Sequence, residues 1–422
     1  MFVHVLGLAV FAQGTSEFML SGLVPGIARD LSVSVAAAAS LTSAYAIGMV
    51  AGAPLMAAWS ARWPRRGALA GFLAAFVVVH VVGAVTPNFA VLFATRIVAA
   101  VVNAGFLAVA MSVATSLVAP GKQARATAVL LSGVTLACVA GVPAGALLGE
   151  RAGWRAAFWA VAALCLPALA LVFRSAPADA AGRAEVRVRR EIGVLRARPV
   201  RSALALAAAV NGATFATFAY LAVIATDTAR LPEAAVPGLL AAFGAGAFAG
   251  VTVAGRQDDG GQDDGGRDDR GKGDRDKGDR DKGERGKGER GKGDGRPRRG
   301  LLLASAALPV GWAALALAGT AVVPLFVLAT VQGALSFGVG SALVNRALRA
   351  ASDAPALGGS FATAALNVGA FAGPLLAGAA TAATGDQRTA AWVSAALAAA
   401  GTAPAAAAAR RARLRRRPDT YA

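Results

Sequence analysis

Apolar runs, most of them about 20 residues long, recur along nearly the whole chain and are separated by polar breaks. A helix rising 1.5 Å per residue needs about 20 residues to cross roughly 30 Å of hydrocarbon. The pattern therefore predicts membrane-spanning helices at Val3–Ile27, Ala37–Ser60, Ala68–Val85, Phe89–Val118, Ala124–Leu148 and Ala156–Phe173. A second set follows at Ser202–Ala225, Val236–Ala254, Leu301–Gly319, Val322–Leu343, Gly358–Ala383 and Thr389–Ala409. The first run is too long for the apolar region of a cleavable signal peptide and is read as the first span. The expected fold is an all-α membrane protein of twelve transmembrane helices.

Two polar segments interrupt this pattern. Residues 174–201 form a basic linker between a first six-helix unit, 1–173, and a second, 202–409, and a basic tail occupies 410–422. Inside the second unit, residues 257–294 are a Gly-rich string of Asp, Glu, Lys and Arg with almost no apolar side chain. Such a segment buries too little surface to offset the ordering of its backbone, which predicts disorder.

Composition agrees with a membrane chain. The 422 residues are 56% hydrophobic with a mean hydropathy of +0.57, and only 16% are charged, against roughly 25% in soluble domains. The net charge of +18 would suggest nucleic-acid binding in a soluble protein. Here topology accounts for it. With the amino terminus placed in the cytoplasm, 36 of the 42 Lys and Arg fall in cytoplasmic segments, five fall outside, and Arg96 lies within a span. Basic residues favour the cytoplasmic side, so both termini are expected there. Cys138 and Cys165 sit in apolar stretches away from other ligand-type residues and predict packed free thiols, with no disulfide or metal site.

Three matches point to an internal duplication. Arg62-Trp63-Pro64-Arg65-Arg66 after the second span corresponds to Gly295-Arg296-Pro297-Arg298-Arg299 before the ninth. Gly141-Val142-Pro143-Ala144-Gly145 in the fifth corresponds to Gly369 and Gly373-Pro374 in the eleventh, and Gln13-Gly14-Thr15-Ser16 in the first to Asn211-Gly212-Ala213-Thr214 in the seventh. Two repeated six-helix bundles build a substrate cavity between halves and switch access by rocking.

These residues resemble the major facilitator superfamily, within it the twelve-span drug:proton antiporters, and most closely the chloramphenicol-resistance exporters. The most specific stretches are 14–23 (GTSEFMLSGL), 141–149 (GVPAGALLG) and 154–159 (WRAAFW). The family's loop motif, Gly-x-x-x-Asp-Arg-x-Gly-Arg-Arg, is matched by Arg62, Arg65 and Arg66, while Ala57, Ala61 and Pro64 replace its Gly, Asp and Gly. The resemblance implies a multi-pass protein of the plasma (inner) membrane that exports chloramphenicol and related hydrophobic drugs in exchange for protons. The proton gradient is the expected energy source, no cofactor is called for, and the chain is expected to act as a monomer.

Glu17 is the one acidic residue well inside a span, about 15 Å from the outer end of its helix. An ionised carboxylate is costly there, which predicts a group that takes a proton from one side and releases it to the other; the plainer reading is a hydrogen-bonded structural carboxyl. Arg96, at comparable depth in the fourth span, is expected to pair with Glu17 when it ionises, or else to snorkel outward and make structural hydrogen bonds. Gly141, Pro143 and Gly145 pack and bend the fifth span, and the resemblance adds a hinge and seal. Arg62, Arg65 and Arg66 anchor topology and are candidates for a cytoplasmic gate. Gln13, Phe18, Asn103, Asn211, Phe215 and Asn367 are candidate cavity residues or interhelical ties. His80 reads as packed rather than as a second proton site. No nucleotide loop, metal cluster or nucleophile triad appears in the sequence, so the chain reads as a transporter and not an enzyme. Alternatives are an exporter of sugars, purines or other metabolites, and a transport-inactive membrane sensor using the charged segments as partner surfaces.

Overall fold

A computed structural model describes residues 2–60, 63–118, 123–175, 193–267, 299–350 and 358–414. Arg62, most of the 174–201 linker, the 268–294 part of the charged insertion and the end of the basic tail lie outside the described residues. The first half consists of α1 (Phe2–Phe18), α2 (Leu20–Asp30), α3 (Val35–Ser60), α4 (Arg65–Val85), α5 (Phe89–Ser116), α6 (Gln123–Leu136), α7 (Val142–Ala152) and α8 (Trp154–Ser175). The second consists of α9 (Arg198–Phe218), a short α10 (Leu221–Val223), α11 (Val236–Arg267), α12 (Arg299–Ala318), α13 (Val322–Ala350), α14 (Gly358–Thr384) and α15 (Thr389–Leu414).

Nine helices among the described residues are long and apolar enough to cross a membrane, and the bent pair α1 and α2 makes a tenth. Two shorter apolar helices, Leu303–Ala318 and Thr389–Thr402, occupy the positions of the expected ninth and twelfth spans. α11 continues through Arg267, past Gln257, where the sequence suggests that order ends.

Three spans are broken where the apolar pattern reads as continuous. The first bends by 49° at Met19. Pro25 offers no N–H to the Ser21 carbonyl and crowds it. The Gly22 N–H bonds the Met19 carbonyl at 3.1 Å, one residue short of the α-helical partner Phe18, whose carbonyl accepts from Ser21 Oγ at 3.1 Å. The seventh breaks likewise at Ala219 and Tyr220, between α9 and α10. In the fifth, a π-helical turn at Ala137–Gly141 precedes Pro143, and the Val142 N–H reaches back five residues to the Ala137 carbonyl. The widened turn makes room for a proline ring that an α-helical turn would crowd.

Packing repeats between halves. α3 packs on α5 as α11 packs on α13, α4 on α8 as α12 on α15, and α1 on α6 as α9 on α14. The close approach is made by small residues, because apolar helices in lipid gain nothing from hiding from their neighbours' solvent. Added Cβ atoms would strike the Ile97 carbonyl oxygen from Gly48 and the Val101 Cα from Gly52. In the second half they would strike the Thr330 and Ala334 carbonyl oxygens from Gly246 and Gly250. The two pairs share one register, 198 residues apart (Gly48 to Gly246, Gly52 to Gly250).

Contacts between halves close the face opposite the chain termini. Ser43 Oγ donates to the Phe371 carbonyl at 2.8 Å, Gly244 packs on the Cys138 and Val139 backbone, and Gly378 approaches Ala36. At the rim Arg29 forms a bidentate ion pair with Glu233, which lies in the short turn leading into α11. Both side chains are more than half exposed, so the pair is worth about 0.2–1 kcal/mol. Glu233→Gln is expected to raise the thiol-labelling rate of a cysteine placed at Gly26, in the cleft beneath the pair, by up to about fivefold at neutral pH. An unchanged rate would remove the pair from the gate.

Candidate functional site

Glu17 stands in the last turn of α1, one residue from Phe18 and immediately before the bend at Met19. It is half-buried, and no hydrogen bond or ion pair reaches its carboxylate from the described residues. Arg96 of α5, Tyr45 of α3 and Cys138 in the π-helical turn lie within electrostatic reach.

Arg96 is 1% exposed, so a full charge is enclosed by protein. Its guanidinium donates from Nη1 to Ser16 Oγ at 2.8 Å and from Nη2 to the Ser16 carbonyl at 2.7 Å. It lies over the Tyr45 ring at 4.6 Å and the Phe158 ring at 5.7 Å. The cation is thus held by neutral oxygens and two aromatic faces, whose quadrupoles attract it. It neither snorkels to the rim nor touches the neighbouring carboxylate.

Ser16 is in turn 2.6 Å from Nε2 of His80, whose Nδ1 lies 2.7 Å from the Phe76 carbonyl. His80 is buried, as expected of a packed histidine, but it joins the Arg96 network. Asn103, two turns along α5 from Arg96, donates to the Tyr45 hydroxyl at 2.8 Å. Both amide atoms of Gln13 and Oδ1 of Asn103 are buried and have no hydrogen-bond partner among the described residues. Buried amides are normally satisfied, so these three atoms are free to meet water or a ligand.

The remaining candidates separate into ties and walls. Asn211 donates to the Leu366 carbonyl at 2.7 Å, tying α9 to α14, and Asn367 donates to Thr363 one turn back in its own helix at 3.0 Å. Phe18 and Phe215 stack across the two halves at 6.0 Å, and rings continue through Phe218 and Phe243 to Phe337. Beside this row lies a cavity of about 100 Å³ lined by Phe18, Val134, Cys138, Ala247, Phe248, Val251 and Phe337. In the register that carries Gly48 onto Gly246, Glu17 falls on Phe215, so the two halves put a carboxylate and a ring at equivalent places.

Gly141 and Gly145 sit against Thr15 and Met19, so the π-helical turn packs directly on the helix that carries Glu17. At the end of the bundle where α1 begins, Arg65 Nη1 donates to Ser116 Oγ at 2.8 Å, and Arg66 is exposed. Ser16, Tyr45 and His80 complete the site but give no charge signal in the sequence. Their helical spacing matches that of ordinary packing residues, and the distinguishing feature is their convergence on Arg96.

Comparison with known proteins places this geometry in a family context. A family model described as Major Facilitator Superfamily matches residues 6–257. A chloramphenicol resistance protein of Streptomyces lividans is 48% identical over 378 residues, covering 89% of this chain and 88% of that protein. A chloramphenicol efflux pump of Mycobacterium tuberculosis is 32% identical over 250 residues, 57% of this chain and 59% of that protein. Among solved structures, a bacterial homologue of the human lysosomal transporter Spinster, inward-facing and unoccupied, superposes with a TM-score of 0.70 over 95% of this chain and 94% of that one, at 14% identity. The nucleoside transporter NupG gives 0.70 over 96% and 99%, at 10% identity. These two similarities concern the fold alone.

Proposed function

Because this chain belongs to the Major Facilitator Superfamily, we propose that it is a multi-pass inner-membrane transporter that exports chloramphenicol-like and other small hydrophobic drugs in exchange for protons. All twelve apolar helices span the membrane, both termini are cytoplasmic, and the monomer is the working unit. The observation that carries the reading is the half-buried carboxylate of Glu17, one residue from the aromatic row between the halves.

Glu17 takes a proton when the site faces outward and releases it when the site faces the cytoplasm, and drug occupies the cavity beside Phe18 in alternation with the proton. Arg96, Gln13 and Asn103 supply the polar side of the site, and the phenyl rings supply the apolar side. The described arrangement, with contacts closing the face opposite the termini, is the state closed to the outside. Gly141, Pro143 and Gly145 form the hinge and seal of the fifth span, and Arg62, Arg65 and Arg66 gate the cytoplasmic face.

Among the described residues, the wall of the cavity beside Phe18 is apolar apart from the Cys138 thiol, and the Gln13 and Asn103 amides are not part of that wall, which favours a hydrophobic substrate over a polar metabolite. Expression of the chain in a drug-sensitive bacterium is expected to lower steady-state accumulation of labelled chloramphenicol, and a proton uncoupler is expected to restore it. Accumulation that stays low after uncoupling would contradict proton coupling; accumulation that never falls would contradict the substrate.

A further inference from the structure

We propose that His80 is a positioning residue: acting through Ser16, it holds the Arg96 guanidinium away from Glu17 and thereby sets how readily Glu17 takes a proton. The inference rests on the reading of Glu17 as the proton carrier. The directions of the hydrogen bonds follow from chemistry. The Phe76 carbonyl only accepts, so His80 Nδ1, 2.7 Å away, carries the ring hydrogen. Nε2 then presents a bare lone pair, and at 2.6 Å it receives the Ser16 hydroxyl proton. That leaves the lone pairs of Ser16 Oγ for Arg96 Nη1 at 2.8 Å, while Nη2 takes the carbonyl of the same serine at 2.7 Å. Every bond from Arg96 to Phe76 points one way, and all four groups are buried.

Glu17 is the next residue after Ser16, so two acceptors one position apart compete for one guanidinium. Among the described residues, the titratable groups within electrostatic reach of Glu17 are Arg96 from α5, Tyr45 from α3 and Cys138 from the π-helical turn. Across the halves the next residue, Phe18, stacks on the uncharged Phe215. Of these, Arg96 is the one cation, so its position governs the balance between the neutral and charged carboxyl.

The test is an infrared titration of the purified protein in lipid without drug, following the protonated carboxyl band that Glu17→Gln removes. In His80→Phe, which keeps the ring and deletes both nitrogens, Ser16 loses its acceptor and Arg96 is released toward Glu17. The midpoint is expected to move to lower pH by about one unit, a tenfold change in proton affinity. In His80→Gln, which restores an acceptor for the Ser16 hydroxyl, the midpoint is expected to return to the unsubstituted value. If His80→Phe does not fold, Ser16→Ala removes the same link and is expected to give the same acid shift. An unshifted midpoint in His80→Phe or Ser16→Ala, or equal shifts in His80→Phe and His80→Gln, would overturn the proposal. Because the titration uses no drug and no gradient, failure of the transport reading would show separately, as absence of drug-driven proton movement in the unsubstituted protein.

Discussion

Glu17→Gln is expected to abolish proton-driven export completely while leaving a folded protein that still exchanges drug for drug across the membrane. Glutamine has the shape of a protonated glutamic acid and never ionises. The carboxylate of Glu17 receives no hydrogen bond from the described residues, so the substitution breaks no packing and orphans no donor. What it removes is the ability to alternate between a neutral and a charged state at the bend of the first span. Drug–drug exchange needs the cavity and the rocking motion but not the proton, and it serves as the internal control for folding. Accumulation of labelled chloramphenicol in inverted vesicles, measured beside counterflow exchange, separates the two. Uphill transport that survives in Glu17→Gln would move the proton site elsewhere.

Gly250→Leu is expected to prevent assembly of the second bundle. A Cβ at Gly250 runs into the Ala334 carbonyl oxygen, and one at Gly246 into the Thr330 carbonyl oxygen. Backbone of a packed helix cannot rotate aside as a flexible side chain can. Overpacking of this kind costs about 1–3 kcal/mol where neighbours can adjust and more where they cannot, against a net stability of about 5–15 kcal/mol. Gly246→Leu should behave in the same way, whereas Gly340→Leu, on the partner helix α13 with nothing near its added Cβ, should be tolerated. The fraction of monodisperse protein in size-exclusion chromatography after mild detergent extraction checks this. Equal yields for all three would mean that the helix pair is looser than these contacts imply.

The distribution of charge and apolar residues made most of this architecture legible in advance. An apolar run of 20 residues has few structural options in lipid, and the paired Gly-rich segments of the fifth and eleventh spans fixed their equivalence. Breaks within spans were harder to read. Pro143 announced a bend, but the π-helical turn that accommodates it depends on a backbone bond from Val142 to Ala137. The bend at Met19 arises from Pro25 six residues later and from the hydroxyl of Ser21, neither remarkable in an apolar sequence.

For the site, isolated charges were visible because they contradict their surroundings. Glu17 and Arg96 stood out on that ground alone. The Ser16 and His80 link was not visible, since sequence spacing within one span carries no information about which neighbouring helix a polar side chain meets. The sequence allows Arg96 either to pair with an ionised Glu17 or to make structural hydrogen bonds; in the folded chain it is hydrogen-bonded to the serine one residue away. Asn211 was a candidate for the cavity as much as for a tie, and it ties α9 to the backbone of α14.

In the proposed cycle, drug and proton move through this protein in opposite directions by way of Glu17. Proton movement measured directly in inverted vesicles, with the lumen acidified and a pH-sensitive dye following the gradient, tests it. Addition of chloramphenicol is expected to release luminal protons at once in vesicles carrying the unsubstituted protein and to leave the gradient unchanged in vesicles carrying Glu17→Gln. A gradient that chloramphenicol does not disturb in the unsubstituted vesicles, or disturbs equally in both, would contradict the account.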